Sequence, residues 1–190
     1  MAIQTAVKPT RTITNGVNVN ALIETVKAVK QTPQFADFRF RVSNQWMGGD
    51  HNRTTVSGFH GVSVDHHHAK GPFVVDNAEP PVLLGEGEAP NPVEYVLHAL
   101  AGCLTTSMVY HAAARGIVIE SVTSELEGDL DLRGFLGLND EVRKGFSAIR
   151  VVMRIKSDAD IETLKSLTEF SPVYDIVSKS LPVEITMENS

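Results

Sequence analysis

The chain reads as an α+β domain with strands on either side of one long central helix in the sequence. Three features of its 190 residues predict this. Segments such as Phe38-Arg39-Phe40-Arg41-Val42 alternate apolar and polar side chains, the period of a strand with one covered face. Residues 91–115 form the most apolar helical run of the chain. The order is strands, one long helix, strands, shorter helices and a closing strand, with no internal repeat.

Each element has its local reason. The first residues, to Asn15-Gly16, read as a loose arm. A short amphipathic helix over Val19–Lys30 carries Leu22, Val26 and Val29 on one stripe and stops at Gln31-Thr32-Pro33. A strand at Phe38–Val42 leads into a turn at Trp46-Met47-Gly48-Gly49-Asp50. Arg53–Val62 and Phe73-Val74-Val75 are two further strands. Gly85-Glu86-Gly87-Glu88-Ala89-Pro90 is a flexible acidic loop. The central helix opens on Asn91-Pro92-Val93-Glu94, with Asn91 as cap, Pro92 in the first turn and Glu94 where a capping box wants a carboxylate. Gly116 ends it. Strands follow at Ile117–Leu132 and Phe146–Lys156, then a helix over Asp158–Phe170 with Ile161, Leu164 and Leu167 facing inward. Ser171-Pro172 opens a last short helix, and Val183–Met187 closes as a strand. The domain boundaries this gives are 1–35 for an arm and short helix and 36–190 for the main domain.

Composition narrows the function. A net charge of -6 and the lack of a basic patch argue against nucleic acid. One cysteine excludes an internal disulfide framework and a four-cysteine zinc cage. The apolar run Tyr95–Ala114 approaches membrane-spanning length, but His98, Ser107 and His111 mark it as a buried helix of a soluble protein. The start of the sequence has no apolar signal core, so a reducing cytoplasm is expected.

That single cysteine, Cys103, lies in the central helix. A thiol there is either a small hydrophobe or, in a reachable electropositive pocket, a nucleophile. Glu94 stands nine positions earlier, on the opposite face and about 13 Å away along the axis. Within one straight helix the two cannot touch. If Glu94 serves a thiol site, the thiol belongs to a second copy of the chain. The helix is apolar around its whole circumference, which calls for cover on every side and favours a homodimer. Cys103, Ser107 and His111 share one face, but two turns separate thiol from imidazole. His111 and His98 therefore read as core histidines.

The run Asn91–Ser107, with Cys103 late in a helix of small residues, resembles the OsmC/Ohr family, and the resemblance extends over roughly Phe38–Glu188. Leu181-Pro182-Val183-Glu184-Ile185 is similar to that family's closing strand. The resemblance implies an OsmC-like fold, antiparallel sheets around the long central helix, in an interlocked homodimer with two thiol pockets at the interface. It further implies a thiol-dependent peroxidase active on organic hydroperoxides, in which the first cysteine becomes a sulfenic acid and a second condenses with it. The resemblance also implies that an arginine and a glutamate from the other subunit hold the thiolate. Carried over by position, the attacking thiol is Cys103, Glu94 is the nearest carboxylate, and Arg53, after Gly48-Gly49, is the candidate arginine. Ser171 stands where the family has its second cysteine. Oxidised Cys103 then needs an external thiol reductant. No cofactor or metal is implied.

His66-His67-His68 reads as an exposed loop, Gly85-x-Gly87 lacks the further glycine and lysine of a phosphate cradle, and the acidic run Glu125–Asp131 reads as a solvated strand edge. Three functions stay open: a one-cysteine hydroperoxide reductase, a non-catalytic dimer that binds a small apolar ligand, and a cysteine-dependent acyl transferase or hydrolase. The first is favoured, because a retained lone thiol and the position of Glu94 make joint sense in a reactive site.

Overall fold

A computed structural model describes residues 12–179 and Met187. The expected arm before Thr12 and most of the expected closing strand Val183–Met187 lie outside the described residues. Two compact units divide between Tyr95 and Val96.

The first unit begins with a hairpin where a loose arm was expected. Asn15 and Gly16 both take positive φ, 52° and 77°, the turn that matches the twist of paired strands. They join β1 (Ile13–Thr14) to β2 (Val17–Asn18). Helix α1 (Val19–Gln31) follows directly, because Asn18 caps it by accepting from the Ala21 N–H. Thr12 N–H donates to Asn20 at 2.8 Å and ties the hairpin to the helix. α1 buries none of its residues; of its stripe, Leu22 and Val29 are half-buried and Val26 is exposed.

A four-stranded antiparallel sheet makes the body of this unit. It holds β3 (Arg39–Gly48), β4 (His51–Gly61), β5 (Val64–His67) and β6 (Phe73–Asn77). β4 is central, pairing with β3 along one edge and with β5 and β6 along the other. Two expectations need correction. β3 runs on through Trp46, so the turn shrinks to Gly49-Asp50, with register shifts at Arg41/Ser43 and Trp46/Gly48 absorbing the misfit. His66 and His67 belong to strand β5, not to a loop. Ring stacking explains the second: His66 lies on Phe59 with centroids 5.0 Å apart, and its Nε2 donates to the Gly61 carbonyl.

Register sorts the sheet into two faces. Phe40 pairs with Phe59 and Phe59 with His66, so Phe38, Phe40, Phe59 and His66 gather their rings on one side. That side is open, Phe40 being 74% and Trp46 72% exposed. Arg39, His60 and Asp65 take the other side, where Arg41 also reaches Asp65 at 2.7 Å.

The second unit contains most of α2 (Pro92–Ala114), whose buried stripe is Leu100, Leu104, Met108 and Ala112, one residue per turn. Ala113 is buried beside that stripe, while Tyr110 stays 48% exposed. Gly116, at φ 75°, donates to the Ala113 carbonyl and Ile117 to that of Ala112, the paired bonds of a left-handed helix stop. β7 (Ile119–Asp129) and β8 (Ala148–Ser157) then pair antiparallel. β7 stops short of its expected end because Asp131 turns to cap α3 (Leu132–Phe135). The carboxylates of the acidic stretch stay in solvent and pair across the ladder, Glu125 with Arg154, and Glu127 and Asp129 with Arg150.

α4 (Ile161–Thr168) starts on Asp160, which accepts from the Thr163 N–H, and α5 (Pro172–Ser178) starts on Ser171. The core of the unit is Met108, Ala112, Leu164 and Leu167, against which Val122, Met153 and Ile155 pack. Ile161 departs from expectation: it is 59% exposed, not inward. Among the described residues no helix is long and apolar enough to cross a membrane.

Candidate functional site

The first turn of α2 closes the capping box that its sequence announces. Asn91 Oδ1 accepts from Val93 N–H at 2.8 Å, and Glu94 Oε2 reaches back to accept from Asn91 N–H at 2.8 Å. Asn91 Nδ2 also donates to Glu79, and Tyr95 Oη donates to the Asp76 carbonyl at 2.9 Å. Glu94 thus holds the start of the helix with one carboxylate oxygen.

Arg53 is fixed to the same strand, β6. It lies directly across from Asp76 in the register, and donates from Nε at 2.7 Å and from Nη2 at 3.2 Å to its two carboxylate oxygens. His51 Nε2 stands 3.2 Å from Asp76 as well. The Arg53 hydrogen bond, ahead of the contribution of His51, holds the Asp76 carboxyl below the usual carboxylate range. Arg53 is therefore not a free turn residue. Its forked pairing leaves Nη1 uncommitted among the described residues.

Asp76 is the residue of this cluster that the sequence does not reveal. Its tie to Arg53 spans 23 positions, and only the pairing of β4 with β6 brings the two together. Beside it, Asp50 accepts from the Glu79 N–H at 2.7 Å, and that backbone bond lowers its carboxyl.

In the second unit Cys103 sits midway along α2, half-buried, as a free thiol. Ser107, next on its face, is half-buried too. His111, the third member of the stripe, is occupied elsewhere. Its ring stacks on Phe170 with centroids 4.0 Å apart, and Arg115 Nη1 donates to both its Nδ1 and its carbonyl. Burial, reinforced by the Arg115 charge, pulls its titration below 6.5. Ser171 is 1% exposed, and its hydroxyl accepts from Tyr174 N–H at 3.1 Å, the work of a helix cap. So the structure joins Arg53 to Asp76 and Glu94 to Asn91, with Cys103 and Ser171 placed in the other unit. Among the described residues no cluster of His, Cys, Asp or Glu is arranged to hold a metal ion.

Comparison with known proteins gives a consistent answer. The family model described as OsmC-like protein matches residues 85–187, a span that contains Glu94, Cys103 and Ser171. Among solved structures, an OsmC-like protein of unknown function from Vibrio cholerae is similar at 12% identity, with 77% of this chain and 95% of that one covered and a TM-score of 0.54. An OsmC-like protein from Mycoplasma pneumoniae is similar at 14% identity, with 75% and 89% covered and a TM-score of 0.53. At such identities the likeness is one of fold. No curated protein matches.

Proposed function

The chain belongs to the OsmC-like protein family, and from that premise we propose that it is a thiol-dependent peroxidase of a reducing cytoplasm. Cys103 reduces organic hydroperoxides, and an external thiol restores it. The observation that carries this reading is Cys103 itself: the one thiol of the chain, half-buried rather than sealed, within the span the family model matches.

The chemistry balances with one protein thiol. The Cys103 thiolate attacks the terminal oxygen of the hydroperoxide, forming an S–O bond as the O–O bond breaks. The sulfur is oxidised by two electrons to a sulfenic acid, and the alkoxide leaves as an alcohol after taking up a proton. A first external thiol displaces water and forms a mixed disulfide. A second one displaces Cys103 and leaves as an external disulfide. Ser171 has no part in this, being engaged as a helix cap.

The site is completed in a homodimer, with Glu94 and Arg53 supplied by the second copy. Their geometry supports this role. Each is rigidly held by a partner in its own unit, yet each keeps atoms uncommitted among the described residues. A guanidinium brought near a thiol favours the thiolate. The open aromatic face of the β3–β6 sheet is apolar surface of the kind that assembly covers. The test is intact-mass analysis after brief exposure to cumene hydroperoxide. A gain of one oxygen on Cys103, reversed by dithiothreitol and absent from Cys103→Ser, is expected. An unmodified Cys103 under excess peroxide overturns the reading.

A further inference from the structure

The core of the second unit is left open on one side. Met108 and Ala112 of α2, with Met153 and Ile155 of β8, enclose Leu164 and Leu167. Met153 and Ile155 also line a cleft of about 810 Å³ into which the same layer opens. α2 lines it with Val96, Leu100 and Leu104, β8 with Ile149 and Val151, and α4 with Ile161. That volume lies in the range of sites that enclose a small ligand. It also accounts for Ile161, 59% exposed because it faces open cleft instead of packed core. Val96, Val151 and Tyr174 are exposed on the same walls, at 39%, 37% and 44%. A converging apolar surface of this kind marks a binding site more often than it marks chance.

The cleft is bordered by charge of one predominant sign. Arg143 and Lys165 line it, against the single carboxylate of Glu169. Elsewhere Arg41, Arg53, Arg133, Arg150 and Arg154 each hold a carboxylate. Among the described residues Arg143 and Lys165 hold none. Arg143 is nevertheless positioned, because Gly134 packs so tightly against it that a Cβ there would stand 2.5 Å from its carbonyl oxygen. The wall beside it is fixed in the same way, the Phe146 ring lying over Gly128.

We infer that this cleft binds an alkyl carboxylate, its chain lying between α2 and β8 and its head group meeting Arg143 and Lys165. The walls supply hydrophobic burial for the chain. An unpaired guanidinium and ammonium are the groups that recognise a carboxylate. Cys103 is not among the lining residues, so the site stands apart from the peroxidase reading and survives its failure.

Calorimetric titration of the full chain with decanoate, decanol and acetate tests it. Decanoate is expected to bind saturably at one site per chain, and acetate not at all. The double variant Arg143→Glu, Lys165→Glu is expected to weaken decanoate by at least roughly tenfold, the worth of one lost hydrogen bond to charge. Both side chains are exposed, so the fold tolerates the change. Saturable binding that is absent, equal for decanol, or unchanged in the variant overturns the inference. A second measurement asks what fills the cleft. In a Cys103→Ser background, Val151→Cys is expected to react readily with a thiol reagent and to be protected by decanoate. If that cysteine is unreactive without ligand, the cleft is filled by residues after Lys179 or by a second copy, and the inference fails.

Discussion

Leu164 and Ile161 stand three positions apart on α4, and shortening each to alanine separates packed core from open cleft. Leu164 is 2% exposed and sits within the cluster of Met108, Ala112 and Leu167. Leu164→Ala removes three carbons from that site. At about 0.8 kcal/mol per buried carbon the transfer loss is roughly 2.4 kcal/mol, and a residual cavity adds to it. A total of about 3 kcal/mol lowers the folding equilibrium roughly a hundredfold. For a chain of this length it lowers the melting temperature by about 6–12 °C. Ile161→Ala removes atoms that are already largely hydrated, and its cost is expected to stay below about 1 kcal/mol. Urea denaturation followed by far-ultraviolet circular dichroism measures both. Equal costs for the two variants, or a Leu164→Ala cost below about 1 kcal/mol, would refute the division of α4 into a core face and a cleft face.

Other expectations concern single contacts. Glu94→Gln keeps an oxygen to accept from Asn91 N–H but removes the charge, so stability is expected to hold within about 0.5 kcal/mol. In the same variant the oxidation of Cys103 by hydroperoxide, followed by stopped flow, is expected to slow by roughly tenfold or more if the charge acts across a dimer; an unchanged rate leaves Glu94 a cap alone. His111 titrates below 6.5 in the folded chain, so the unfolded chain takes up its proton first as pH falls. Stability is therefore full above about pH 6.5 and declines from there down to the lower folded midpoint. Melting curves from neutral to mildly acidic pH check this, and His111→Phe, which keeps a ring against Phe170, is expected to flatten the slope. Gly85→Ala forces a Cβ against the Glu79 carbonyl and the Asp50 carboxylate. A loss of about 1–3 kcal/mol by urea denaturation is expected, and a neutral result would show that the loop is free to move.

Features decided within one turn of backbone were legible in the order of residues alone. The capping box at Asn91 and Glu94, the stop at Gly116 and the helix start at Ser171 rest on hydrogen bonds between near neighbours. The α+β class and the long helix followed from periodicity for the same reason. Tertiary structure decided what depends on partners far along the chain. It set Arg53 opposite Asp76, drew His66 out of a loop and onto Phe59, and paired the carboxylates of β7 with Arg150 and Arg154. It also turned Ile161 from the expected core into the wall of a cleft. An apolar stripe records that a side chain shuns water, but whether the space it faces is filled depends on packing between elements that no local pattern encodes.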